Sequence, residues 1–164
     1  MPIIYVKISL EQKCGVIMEE TKLNLRSIAR IQAMKILYIS DFNGVSVEIG
    51  LAMAEKGLLN NDALNDQKEI SEDAKHLLKF TDDNLEKIDE IISKTLVNYT
   101  INRLNLVDKS IIRIATAELL EGKLDKRIII NEALEITKLY TDQGDHKAVA
   151  FNNRLLDNIS KNIK

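Results

Sequence analysis

The sequence has a single cysteine, Cys14, a single proline, Pro2, and no tryptophan in 164 residues. One cysteine excludes an intramolecular disulfide and a cysteine-based metal cluster, and it is typical of a reducing compartment. One proline leaves few forced breaks in the chain, which favours helices. Six glycines are too few for a hairpin-rich β protein with tight turns. These absences predict an all-α protein.

The sequence also lacks a long hydrophobic run. No apolar stretch approaches the roughly 18 residues that span a bilayer, and residues 1–10 are too short and too interrupted by polar side chains for a signal peptide. The composition, 45% apolar and 29% charged, is that of a globular protein and not of a disordered one. We therefore predict a cytoplasmic protein without a membrane partner.

Charge is distributed unevenly along the chain, although the net charge is only −2. Residues 21–40 carry four basic side chains and no acidic one, whereas residues 62–90 carry ten acidic side chains against four lysines. The distribution is more informative than the sum, because a local basic surface can attract phosphate on an acidic protein.

Apolar residues recur at helical spacing along most of the chain after Asn24. The pattern predicts seven helices, at about 25–43, 45–59, 71–80, 81–100, 109–121, 127–140 and 146–162. We expect Asn24, Ser71 and Asp108 to be N-caps, Thr81 to open the fourth helix, and residues 60–70 to form a loop. Residues 1–17 have two open interpretations: an upstream extension before Met18, or a mobile or loosely docked terminus.

Residue types that carry catalysis are scattered in this sequence. His76 and His146 are far apart and have neither metal-ligand nor nucleophile spacing. No glycine loop of the phosphate-binding type is present, and acidic pairs such as Asp82 and Asp83 are typical of solvated helix ends. We therefore predict that the protein is not an enzyme and needs neither cofactor nor metal.

Basic residues at two places are candidates for binding RNA. Arg26 and Arg30 are four residues apart, so they are expected on one face of the first helix. Guanidinium groups pair bidentately with phosphate, and a helix N-terminus also favours phosphate. A second cluster, Lys123, Lys126 and Arg127, lies in a connection between helices, where side chains are free to meet a ligand. An ordinary solvated basic face stays the alternative for Arg26 and Arg30.

Three blocks of the sequence resemble the NusB family of transcription antitermination factors, in the order found there. The blocks are the arginine-rich opening RSIARIQAMKILY (26–38), the central signature INRLNLVDKSIIRIATAEL (101–119) and the I-N-E-A block RIIINEALEITKLY (127–140). The ending AFNNRLLDNIS (150–160) is also similar to the family's last helix. The resemblance spans roughly residues 26–160.

The resemblance implies a fold of about seven helices in two small packed bundles. We therefore expect an N-terminal extension over 1–20 that is mobile, and one domain over 21–164 with bundle halves at about 21–80 and 81–164. By position, Arg26, Ser27 and Arg30 match the arginine-rich start that contacts RNA in the family. Arg127 matches a lysine of a later P-x-K-V segment, and Lys123 and Lys126 lie beside it.

The resemblance also implies a function. A member of this family binds the boxA element of ribosomal RNA leader transcripts together with the small-subunit ribosomal protein that acts as NusE. The pair joins the RNA polymerase antitermination complex and promotes read-through of terminators. Some members form homodimers. Two other functions stay open: a helical protein-interaction module without an RNA role, and an RNA-binding module related to the N-terminal domain of ribosomal RNA cytosine methyltransferases.

Departures from the family pattern qualify these expectations. Ser27 and Ile28 interrupt the arginine run, which predicts a weaker RNA contact. The segment KLDKR (123–127) lacks the proline of the family's turn. Arg154 replaces a common glycine, so the last helix is expected to continue without a break. The basic residues of the central signature, Lys109 and Arg113, are interpreted as surface or interhelical pairing residues.

Overall fold

The computed structural model describes residues 25–56 and 69–163, and these ranges are helical with no strand. The seven α-helices of the described ranges are α1 (Leu25–Asn43), α2 (Val47–Glu55), α3 (Glu72–Asp83), α4 (Leu85–Thr95), α5 (Leu106–Glu121), α6 (Lys126–Tyr140) and α7 (Lys147–Asn162). A 3-10 turn, Ile101–Arg103, joins α4 to α5. The predicted all-α fold class is confirmed.

Several expectations fall on residues that the structure does not describe. The N-terminal extension over 1–20 and the Asn24 cap lie outside the described residues, as do most of the 60–70 loop and the end of the second predicted helix. The division into two bundle halves stays a prediction.

Two helices, α1 and α5, lie at the centre of the fold. α1 packs against α2, α3 and α5, and α5 packs against α1, α3, α4, α6 and α7. Residues 110–117 of α5 are buried without interruption, as expected for a helix that is surrounded by others. All seven helices contribute to one continuous hydrophobic core.

Capping residues set two of the predicted helix ends. Ser71 caps α3, because its hydroxyl accepts a hydrogen bond from the Ala74 amide at 3.2 Å. Gln32 of α1 fixes that cap from the side: its Oε1 accepts from both the amide and the hydroxyl of Ser71. Gly122 ends α5 with φ +71°, a left-handed conformation that glycine adopts at little cost. Both predicted ends are confirmed.

The predicted helix over 81–100 is wrong at both ends. Thr81 lies inside α3, fully buried, and its hydroxyl donates to the Leu77 carbonyl at 2.7 Å. The break comes at Asn84, whose side chain donates to the Phe80 carbonyl at 2.9 Å. α4 then ends at Thr95. The apolar period continues across the break because α3 and α4 both face the same core, so periodicity alone could not reveal it.

Asp108 is not the N-cap of α5. That helix begins at Leu106, and the cap is Asn105, which accepts from the Val107 amide at 2.8 Å. Asp108 lies in the first turn and accepts from Thr141 at 2.8 Å and Asn152 at 3.0 Å, which joins α5 to the end of α6 and to α7.

The last helix, α7, runs unbroken from Lys147 to Asn162 with Arg154 inside it. The predicted continuation of that helix is therefore confirmed. A family glycine is replaced here by a residue that keeps ordinary helical backbone angles.

α1 and α2 meet at a bend of 116° that is closed by Gly44, with φ +63°. Close approach of the two helices requires a second glycine, since a Cβ atom on Gly50 would lie 2.1 Å from Ser40 Oγ. No single described helix is long and apolar enough to cross a membrane; α1 and α2 satisfy that criterion only as a bent pair, by length and composition.

Candidate nucleic-acid interface

The first turn of α1 exposes Arg26 and buries the two residues that were predicted to act with it. Arg26 is exposed and has no ion-pair or hydrogen-bond partner among the described residues. Ser27 and Arg30 are only 6% and 4% exposed. Arg30 lies one turn further along, where α5 and α6 cover the helix.

The Arg30 guanidinium forms a buried ion-pair network. Its Nε and Nη2 each donate to Glu118 of α5 at 2.8 Å, in a bidentate arrangement. Its Nη1 lies 3.3 Å from Glu132 Oε2 of α6. The Glu118 side chain is 11% exposed, so both ends of the bidentate pair are largely shielded from water.

Ser27 completes the same network from the preceding turn. Its hydroxyl donates to Glu132 Oε2, the oxygen that Arg30 also approaches. Together the two residues hold the start of α1 against α5 and α6. Arg30 and Glu118 both line the cleft described below, and the Nε, Nη1 and Nη2 atoms of Arg30 each already donate to a carboxylate. The RNA contacts expected of Ser27 and Arg30 stay a prediction; in this structure both side chains join α1 to α5 and α6.

The second predicted cluster stands out into solvent. The Lys123 side chain is 65% exposed and pairs with Glu121 at 2.7 Å. Lys126 and Arg127 are both exposed and occupy the first two positions of α6. Asp125 caps this helix, and its carboxylate accepts from the Arg127 amide at 2.8 Å. The cap fixes the backbone of the cluster while the two cations remain free of partners among the described residues.

A cleft brings the two basic segments together. It has a volume of about 300 Å³ and lies between α1, α3 and the end of α5. Arg26 and Lys123 both line it, from α1 and from the α5–α6 connection. Lys126 and Arg127 are not among its lining residues and lie on the adjoining start of α6. We call these four exposed cations, Arg26, Lys123, Lys126 and Arg127, the basic edge.

Glu121 is the centre of the polar contacts in this cleft. Its Oε1 accepts from Lys123 Nζ at 2.7 Å and lies 2.8 Å from His76 Nε2. Burial raises the pKa of Glu121, but hydrogen bonds and charge from Lys123 and His76 together outweigh it and hold the pKa below the ordinary 4.5. The carboxylate is therefore ionised at neutral pH. Sequence patterns did not single out Glu121, because its partner His76 is 45 positions away.

The basic residues of the central signature lie on another side of α5. Arg113 pairs with Asp41 at 2.7 Å and with Asp89 at 2.6 Å, and Lys109 pairs with Asp41 at 3.2 Å. Burial lowers the pKa of Arg113, but hydrogen bonds to Asp89 and Asp41 outweigh it and raise that pKa. The interhelical pairing predicted for Lys109 and Arg113 is confirmed.

An exposed aromatic pair was missed in the sequence. The rings of Tyr99 and Phe151 lie 5.9 Å apart, and the Arg103 guanidinium lies 5.6 Å from the Tyr99 ring centroid. Val97 beside them is 79% exposed. Helical periodicity could not find this group, because Tyr99 follows the end of α4 and Phe151 is contributed by α7. None of Val97, Tyr99 and Phe151 lines the cleft.

The described parts of the chain contain no group of three or more histidine, cysteine, aspartate or glutamate side chains that could hold a metal ion.

Comparison with known sequences agrees with the geometry. The family model for the NusB family matches residues 27–161. The chain is 38% identical over 138 residues to the transcription antitermination protein NusB of Clostridium botulinum, covering 83% of this chain and 98% of that protein. It is 37% identical over 152 residues to the NusB of Syntrophotalea carbinolica, covering 85% of this chain and 94% of the relative.

Solved structures show the same similarity in three dimensions. Thermotoga maritima NusB superposes with a TM-score of 0.66 at 32% identity, covering 84% of this chain and 92% of the other. A chain from the crystal structure of antitermination factors NusB and NusE in complex with dsRNA gives a TM-score of 0.66 at 30% identity, with 84% and 96% covered. The sequence and the fold thus lead to one conclusion: this chain belongs to the NusB family.

Proposed function

We propose that this chain is a transcription antitermination factor that binds boxA-type ribosomal RNA leader transcript in the cytoplasm. The observation that supports the proposal is the edge of four exposed cations, Arg26, Lys123, Lys126 and Arg127, on a NusB fold. Exposed lysine and arginine side chains supply the salt-dependent attraction that brings single-stranded RNA to a protein. The RNA backbone follows this edge, across the cleft and along the start of α6.

The proposed complex includes a second protein, the small-subunit ribosomal protein that acts as NusE. A NusB relative forms a complex with NusE and dsRNA. The aromatic patch of Val97, Tyr99 and Phe151 is our candidate for the protein contact, because exposed aromatic residues are enriched in protein interfaces. The assembled pair would join RNA polymerase and promote read-through of terminators, with this chain acting as an adaptor and not as an enzyme.

The relatives favour this function over the RNA-binding module of a ribosomal RNA cytosine methyltransferase. The two NusB proteins described above are antitermination proteins, and they are matched over 98% and 94% of their own length. The remaining alternative is a protein-interaction module that does not bind RNA. A measurement of RNA binding distinguishes that module from an antitermination factor.

The test measures binding of a boxA-type single-stranded RNA across a salt series, with and without the NusE partner. The variants are Arg26→Ala and the double change Lys126→Ala plus Arg127→Ala. Lys87→Ala is the matched control, since Lys87 is an exposed cation without a described partner on α4, which packs mainly on α5 and α7. Each lost phosphate contact lowers the slope of log affinity against log salt by about 0.7 for a single strand.

We expect affinity to rise with the partner, the slope to fall by about 0.7 for Arg26→Ala and about 1.4 for the double variant, and the control to match wild type. Equal salt slopes in all four proteins would exclude this edge as the RNA surface. Absence of RNA binding even with the partner would favour the interaction module. Light scattering on the same samples tests for a homodimer.

A further inference from the structure

We propose that the cleft between α1, α3 and the end of α5 binds one nucleotide of the RNA and selects guanine. This inference rests on the proposed RNA-binding function and goes beyond it. Contacts to phosphates position a nucleic acid without reading its sequence. A groove that takes up a base can read sequence, so the cleft would make this chain a sequence reader as well as a phosphate binder.

The dimensions and the lining of the cleft fit a nucleotide. Its volume of about 300 Å³ lies at the lower end of the roughly 300–1,000 Å³ range of small-molecule sites. Apolar side chains of Ala29, Leu77 and Leu124 line it from three elements, and apolar surface can cover the flat face of a base. The exposed His76 ring at the same cleft can stack on a base, as histidine does in RNA complexes.

Two opposite charges face this cleft without being paired. Arg26 of α1 and Asp73 of α3 both line it, and neither has an ion-pair or hydrogen-bond partner among the described residues. A free phosphate would satisfy Arg26 and be repelled by Asp73. A nucleotide carries an anionic phosphate and a base with N–H donors, so it can satisfy both groups.

Glu121 provides the selectivity. Both of its neighbours, Lys123 and His76, contact Oε1, and Oε2 has no partner in the described part of the chain. The lowered pKa of Glu121 keeps the carboxylate ionised, so it can only accept hydrogen bonds. Guanine presents two adjacent donors, N1–H and the 2-amino group, on its Watson–Crick edge. Uracil presents a single N–H between two carbonyl oxygens, which a carboxylate repels.

The first experiment titrates the whole chain with four probes: guanosine, inosine and uridine 5′-monophosphates, and inorganic phosphate. Nuclear magnetic resonance follows the methyl groups of Leu77 and Leu124 and the Nε–H group of Arg26. We expect guanosine monophosphate to bind at least about fivefold more tightly than uridine monophosphate. Inosine monophosphate, which lacks the 2-amino group, should fall between them. Phosphate should shift Arg26 and leave the methyl groups unmoved.

The second experiment uses the variant Glu121→Gln. We expect this substitution to raise the affinity for some probes and to lower it for others. Loss of a negative charge should raise the affinity for phosphate and for uridine monophosphate. The same change should lower the affinity for guanosine monophosphate at least about fivefold, because the double acceptor is lost. Glu86→Gln is the matched control, an exposed glutamate on α4. If Glu121→Gln fails to fold, the affinities of the wild-type protein for guanosine and inosine monophosphates still test whether the cleft selects guanine.

Equal affinities for guanosine and uridine monophosphates on the wild-type protein would overturn the inference. So would a Glu121→Gln variant that binds guanosine monophosphate more tightly, as it binds phosphate. Failure of the proposed function is distinguishable: there the single-stranded RNA does not bind at any salt concentration. If the RNA binds with the expected salt slope but its affinity does not change when each guanosine is replaced by inosine, the proposed function is retained and the guanine site is refuted.

Discussion

Replacement of Arg30 by alanine should destabilise the protein, because this side chain is the centre of a buried ion-pair network. Arg30 makes bidentate contacts with Glu118 and a third contact with Glu132, and its side chain is 5% exposed. Removing one partner of a buried ion pair leaves an uncompensated charge, which costs about 3–5 kcal/mol. We expect the lower end of this range, because Glu132 is 25% exposed and keeps its hydrogen bond from Ser27.

A loss of about 3 kcal/mol corresponds to a fall in Tm of about 6–12 °C for a chain of this size. Circular dichroism during thermal and urea unfolding measures it. The double variant Arg30→Met plus Glu118→Leu is the companion, because replacing a buried pair by apolar side chains of similar size is often close to neutral. The double variant should therefore recover most of the stability that Arg30→Ala loses.

RNA binding separates this role from a direct phosphate contact. Arg30 and Glu118 also line the cleft, so Arg30→Ala alone would leave an unpaired carboxylate there. At a temperature where it is fully folded, the double variant Arg30→Met plus Glu118→Leu should therefore keep the salt slope of wild type, whereas Arg26→Ala should lose slope without losing stability. A melting temperature for Arg30→Ala within about 1 °C of wild type, together with a reduced salt slope for the double variant, would refute the reasoning and restore Arg30 as an RNA contact.

Two further predictions concern the α1–α2 junction and the cleft. Gly50→Ala should destabilise the fold by about 1–3 kcal/mol, since the new Cβ would lie 2.1 Å from Ser40 Oγ; adding Ser40→Ala should recover part of that loss in urea unfolding. The pKa of Glu121 is lowered in the folded state, so its stabilising contribution is complete above pH 4.5 and is lost as pH falls through the folded pKa. Glu121→Gln should therefore lose less stability than wild type as the pH is lowered below 4.5, and parallel stability curves for the two proteins would contradict this.

The all-α class and most helix positions could be predicted from the sequence, because core-facing residues repeat at helical spacing in α1, α5 and α6. The difference between Arg26, which is exposed, and Arg30, which is buried, could not be predicted from the sequence. Helical spacing placed both arginines on nearly the same face, but it does not say where along the helix neighbours cover it. Burial of Arg30 depends on Glu118 and Glu132, which are 88 and 102 positions away.

Local signals also failed where two residues could play one role. Asn105 and Asp108 are both good capping types, and the choice between them depends on Thr141 and Asn152, which hydrogen-bond to Asp108 from α6 and α7. Asp108 is therefore held by tertiary contacts, and the cap is left to Asn105. The central signature is recognisable because it places α5 in the core, and the four cations Arg26, Lys123, Lys126 and Arg127 lie outside it.

The net charge of −2 does not oppose RNA binding, because two of the carboxylates that line the cleft, Glu118 and Glu121, are paired with cations. Arg30 forms an ion pair with Glu118, and both Lys123 and His76 contact the Glu121 carboxylate. Charges further away are screened beyond about 8 Å at physiological ionic strength. Among the carboxylates that line the cleft, Asp73 alone has no ion-pair partner in the described part of the chain, and Arg26 lines the same cleft. A surface that served only to attract phosphates would gain nothing from the Asp73 carboxylate. A site that binds a base would gain a hydrogen-bond acceptor for the N–H donors of that base. We therefore expect the cleft, and not the charge alone, to determine which RNA is bound.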